Sequence, residues 1–196
     1  MKSLQLSKPN LTIDDLKLIA IIAMLIDHLA DMITSNDSIM NLALHTVGRI
    51  TAPIMFFAAV EGYHKTHNLK RYLFRLTIFA LISHIPFSLM FYDGDLFRLN
   101  VIYTILFGLI AIIARHKIKN KICVLVVISL LLALSLFSDW GYFGILIMLI
   151  FDFFYRNFKL QAFAYCLAVI IDGDVLPIVL SQARILNGVF QYTNGF

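Results

Sequence analysis

Charge is what this sequence lacks: only 14% of its 196 residues are Asp, Glu, Lys or Arg, against 60% drawn from the apolar and aromatic set. A soluble domain is about a quarter charged, so there is too little polar surface here to coat a water-soluble globule of this length. The shortage excludes a soluble enzyme, a disordered scaffold and a nucleic-acid-binding module, the last despite a net charge of +4. Cysteine is scarce too. Cys123 and Cys166 both fall in apolar runs with no CxxC or Cys/His neighbour, which leaves them as core or lipid-facing thiols and points to no metal site. Internal repeats of the kind carriers tend to show are missing.

What the chain has is apolar length, with a mean hydropathy of +0.85. Apolar segments run at about Leu16 to Ile33, Leu42 to Tyr63, Tyr72 to Phe91, Asn100 to Ala114, Ile122 to Phe137, Gly141 to Phe154 and Leu160 to Ile171. A weaker one from Val175 to Phe190 is broken by Pro177 and holds Arg184. Seven spans of about 20 residues take up about 140 positions, which leaves no room for a second, soluble domain. Backbone amides in lipid must be paired within the segment, so the spans are expected to be helices. The fold class expected is all-α: a polytopic transmembrane bundle of seven to eight spans. It forms a single membrane domain over 1–196, with a tail at 1–15, core spans over 16–171 and a last, broken span at 175–190. The polar start of the chain does not read as a signal peptide, so the first span is expected to be retained.

Basic residues sort by side. With the N-terminus inside, Lys2, Lys8 and Lys17, then Lys65 to Arg75, then Arg115 to Lys121, then Arg156 and Lys159 put thirteen on one face. The opposite loops hold Arg98 alone, so the N-terminus is expected in the cytoplasm. The setting expected is a membrane that borders the cytoplasm.

Ionisable groups at membrane depth are costly and are functional candidates by default. Asp27 and His28 lie about 17 Å along the first span at about 1.5 Å per residue, in its outer half. Asp31 shares an overlapping face. Arg49 enters near the outer end of the second span, His84 lies in the outer half of the third, and Asn100, Thr104 and Gly108 form a small polar stripe on the fourth. Asp139 and Trp140 stand in an outer loop. An inner layer collects Glu61, His64, Lys65, His67, Lys70, Arg71 and Arg75. Two readings stand for each layer. In the outer one, His28 is a general base tuned by Asp27 and Arg49, or the same groups form a structural ion pair. In the inner one, Arg71 and Arg75 clamp an anionic cofactor, or they fix topology against lipid phosphate.

The strings LKLIAIIAMLIDHL from Leu16, GRITAPIMFFAAVEGYHKTHNLKRYLFRL from Gly48, NVIYTILFGL from Asn100 and SDWGYFGIL from Ser138 together resemble the TraX family, named for a conjugative-plasmid protein linked to pilin N-acetylation. The resemblance implies a multi-span acyltransferase. Acetyl-CoA would be the cytoplasmic acyl donor, and the acceptor would stand at the outer face: a pilin-like protein N-terminus, or a sugar or small-molecule amine or hydroxyl. Carried onto this chain, the implied roles are His28 as base, Asp27 and Arg49 as its partners, and Glu61, Arg71 and Arg75 on the donor side; Lys65 and Lys70 stand beside them in the inner layer as further expected contacts for the donor phosphates. From their place in the outer half of the chain, and not from the resemblance, Asp31, His84, Asn100, Thr104, Asp139 and Trp140 are expected to line the site. The resemblance also implies a further aromatic-rich span beyond Leu186 to Gly188. Two other classes stay open on the residues alone: a proton-coupled carrier, and a non-catalytic assembly protein.

Overall fold

The computed structural model describes residues 12–33, 39–48 and 51–172. Arg49 and the weak segment 175–190 lie outside the described residues, and Asp31 is described by its backbone alone. Among the described residues the chain is all-helical: α1 (Ile13–Ile33), α2 (Ile39–Gly48), α3 (Thr51–Lys65), α4 (Leu69–Phe91), α5 (Val101–Lys117), α6 (Lys121–Ser135), α7 (Gly141–Phe153) and α8 (Phe158–Asp172). The first seven apolar runs fall on these helices, the second run being shared by α2 and α3. One isolated β-bridge joins Leu99 to Ser138.

Helix starts follow from local chemistry. Thr12 and Asp15 form a reciprocal capping box: the Asp15 carboxylate accepts the Thr12 backbone N–H at 2.8 Å, and the Thr12 hydroxyl accepts the Asp15 N–H at 3.2 Å. Asparagine side chains then cap four later helices. Asn68, Asn100, Asn120 and Asn157 accept backbone N–H groups from the first turns of α4, α5, α6 and α8, which satisfies donors that a helix leaves unpaired at its start.

Two stretches, Ala43–Lys65 and Leu69–Phe91, are long and apolar enough to cross a membrane; α6 and α7 are apolar but shorter. The second stretch is α4, which exposes Phe74, Phe79, Leu81, Ile82, Ile85 and Leu89. Only 11% of its apolar window is buried. In water so large an apolar face would be a liability, whereas hydrocarbon accepts it.

The chain divides into two compact units, Met1–Ala58 and Ala59–Phe196. In the first, α1 packs on α2 through small residues. Ala20, Ala23 and Ala30 of α1 are buried, and the Thr51 hydroxyl donates to the Ala20 carbonyl at 3.1 Å. Close approach is enforced at Gly48, where any side chain would run into the Asp27 carboxylate. In the second unit, α5 is the central helix and packs most extensively on α7. Ala111, Leu131 and Ile145 make a buried cluster among α5, α6 and α7. Gly108 lets Met148 lie directly on the α5 backbone, where a side chain would collide with it.

Candidate functional site

Each unit contains a carboxylate held by histidine. In the first unit, Asp27 on α1 and His45 on α2 meet through Oδ1 and Nδ1 at 2.8 Å, each side chain about one-third exposed. The helix pair explains the contact: Gly48 lies one turn beyond His45 on α2 and clears the space in which the Asp27 carboxylate sits. A carboxylate on Nδ1 favours the imidazole tautomer that leaves the lone pair on Nε2. That is the chemistry of a general base.

In the second unit, Asp152 on α7 has no side-chain exposure and gathers three groups. Arg115 Nη1 donates to Oδ2 at 2.7 Å, His64 Nε2 lies 2.8 Å from Oδ1, and His116 Nε2 lies 2.9 Å from Oδ2 and 3.1 Å from Oδ1. The ligand atoms of His64, His116 and Asp152 all lie within 4.8 Å of one another. Aromatic rings hold the imidazoles in place. Tyr155 stacks on His64 with centroids 3.7 Å apart, and Tyr63 lies edge-on to His64 at 5.0 Å and tilted to His116 at 5.8 Å. Arg115 also borders an open apolar groove of about 650 Å³ lined by Tyr142, Phe143, Leu146 and Phe153.

The other residues singled out in the sequence divide by unit. His28 is half-buried on α1, directly after Asp27; the Asp27 carboxylate meets the His45 imidazole. Glu61 takes an ion pair with Lys65 one turn along α3 at 2.8 Å. Lys70, Arg71 and Arg75 are exposed on the first two turns of α4. His84 lies 3.1 Å through Nε2 from the Leu96 carbonyl and packs edge-on to Tyr103. Asn100 is buried, caps α5 and donates to the Ser83 hydroxyl at 2.9 Å. Thr104, also buried, donates to Ser138 at 2.9 Å. Asp139 is exposed, and with burial as the larger cause its charge raises the Tyr92 phenol above its ordinary value, while Arg98 opposes that shift. Trp140 stands half-buried at the start of α7.

Sequence reasoning missed His45, Arg115, His116, Asp152 and Tyr155 as site residues. Asp152 carried a usable signal: it is an aspartate inside the apolar run Gly141 to Phe154. Arg115 reads in the sequence only as a topology charge, and nothing in the second run marks His45.

The architecture and these two centres define an all-helical protein with stretches able to cross a membrane and a histidine–carboxylate pairing in each unit. The family model described as TraX protein matches residues 12–188, and the chain belongs to the TraX family. It is 38% identical over 165 residues to the "Probable fimbrial assembly protein FimC, serogroup H1" of Dichelobacter nodosus. That alignment takes in 78% of this chain and spans 66% of the relative's length. No solved structure matches.

Proposed function

We propose that this protein is a multi-span acyltransferase of the bacterial cytoplasmic membrane that moves an acetyl group from acetyl-CoA to an acceptor at the outer face. The observation that carries the reading is the Asp27–His45 contact at 2.8 Å, the pairing a general base needs. A pilin-like protein is the acceptor class favoured by the fimbrial assembly relative.

Acyl transfer requires the acceptor to lose its proton as it attacks and the oxyanion to be stabilised. His45 Nε2 takes the proton from the acceptor amine or hydroxyl as its bond to the acetyl carbon forms. The same imidazolium returns that proton to the departing thiolate as the carbon–sulfur bond breaks, with Asp27 stabilising the imidazolium between the two events. Arg49 is the candidate for the oxyanion. His28, next to Asp27 in the chain, is the second candidate base. Acetyl-CoA supplies the activated thioester. Its phosphates suit the exposed cations Lys70, Arg71 and Arg75 and the neighbouring Lys65, three of them within six residues of α4.

The test is transfer of labelled acetyl from acetyl-CoA to a pilin-derived peptide by the purified chain in lipid vesicles. Wild-type protein should label the peptide, and His45→Ala should lose at least a hundredfold, the lower range for a general base. Full activity in His45→Ala with loss in His28→Ala moves the base to His28. No labelling by wild type, together with CoA-independent proton flux into the vesicles, overturns the acyltransferase reading in favour of a carrier.

A further inference from the structure

The Asp152 cluster goes beyond that reading and does not depend on it. We propose that His64, His116 and Asp152 form a binding site for a divalent transition-metal ion, with zinc the best chemical fit. Two imidazoles and one carboxylate are a ligand set for zinc and unlike the all-oxygen shells of calcium or magnesium.

Four observations support it. The three ligands come from three helices, α3, α5 and α7, and both histidines turn the same ring atom, Nε2, toward one carboxylate. Ligand atoms around a tetrahedral zinc at about 2.0–2.1 Å stand about 3.3 Å apart. The imidazole–carboxylate separations of 2.8 to 3.1 Å fall a few tenths short of that and all three ligand atoms lie within 4.8 Å of one another, so an ion enters with a modest rearrangement of the rings. Second, the surroundings supply an outer shell. Arg115 holds Oδ2 at 2.7 Å, which leaves Oδ1 for the ion, and Tyr155 and Tyr63 fix the planes of the imidazoles. Partners that orient the ligands in this way are a regular part of metal centres. Third, there is an entry path: the Asp152 side chain is fully buried, yet His64 and His116 are 20% and 39% exposed. Fourth, the charges are compatible. Asp152 and Arg115 cancel and both imidazoles are neutral when ligated, so the ion's charge is left to a water, hydroxide or anion at an open fourth position, the arrangement of a three-ligand zinc site.

The competing account is a hydrogen-bond network in which the imidazole N–H groups and Arg115 satisfy the carboxylate without any ion. The two differ in what they bind. The experiment uses the full chain, purified in detergent without a histidine tag, stripped with chelator and dialysed against zinc or cobalt(II). Wild type should retain about one ion per chain, give the visible absorption of tetrahedral cobalt(II), and unfold at a higher temperature with zinc than without it, as expected when an ion binds only the folded state. His116→Ala should lose all three signals while keeping its metal-free unfolding temperature near that of wild type, since His116 is the most exposed ligand. His64→Ala should lose them too, and the exposed His67→Ala should keep them. Wild type that retains no more zinc than the His64→Ala, His116→Ala double variant overturns the proposal and leaves the network alone.

Discussion

The two histidine–carboxylate centres are built from the same side chains to opposite specifications. Asp27 meets His45 across a pair of helices with both side chains about one-third exposed. Asp152 is fully enclosed and receives Arg115 and two histidines. A carboxylate with no access to water has to be saturated by donors, because a buried charge left unpaired costs several kcal/mol. A carboxylate near the surface needs fewer partners, because solvent takes part of its charge. The enclosed Asp152 cluster suits holding a fixed charge distribution or an ion, and the exposed Asp27–His45 pair is the one proposed to turn over.

That contrast can be broken at several points. The largest loss is expected from Asp152→Ala, which strands Arg115 and both histidines; about 3 kcal/mol is expected in detergent unfolding, whereas Asp27→Ala should cost about 1 kcal/mol. Equal losses would erase the distinction between the centres. Next comes Gly48→Val, which drives a side chain into the Asp27 carboxylate. It should cost about 2 kcal/mol by overpacking and disable the first centre while leaving metal binding at the second intact. Asn100→Ala removes the α5 cap and the bond to Ser83 and should cost about 1 kcal/mol. This effect should appear in hydrogen exchange of α5 and α4.

The smallest effect is at the start of α1. Hydrogen bonds from the Thr12 backbone, then from its hydroxyl, lower the Asp15 pKa below its ordinary 3.8. A depressed carboxylate adds stability above the unfolded value, and that contribution is lost as pH falls through the folded value. Asp15→Asn should therefore lower the unfolding temperature slightly at neutral pH, and the gap should close well below 3.8. A gap that persists in acid would show that the capping box does not act through the charge of Asp15.

Much of the fold was legible because it is written in one dimension. Apolar runs placed seven helical regions within a few residues, from Leu16 to Ile33 for α1 (Ile13–Ile33) through to Leu160 to Ile171 for α8 (Phe158–Asp172). The sites were legible only in part, because counting residues along a span gives depth but not rotation about its axis. Asp27 was found by being charged in an apolar run; its partner His45 emerged only when α2 was set against α1. At Asp152 the same charge-in-a-run signal is present, but Arg115 reads along the chain only as part of the cytoplasmic charge excess, and His116, neutral in that count, carries no signal of its own. A side-of-membrane count has no way to register that one of those cations is bonded to a buried aspartate.

The central claim is that the exposed pair does chemistry while the buried cluster holds structure and an ion. It is tested most directly by the acetyl-transfer rate per folded, membrane-inserted molecule of Asp27→Asn. The account predicts a fall of a hundredfold or more with the unfolding temperature close to wild type. A wild-type rate per folded molecule would contradict it.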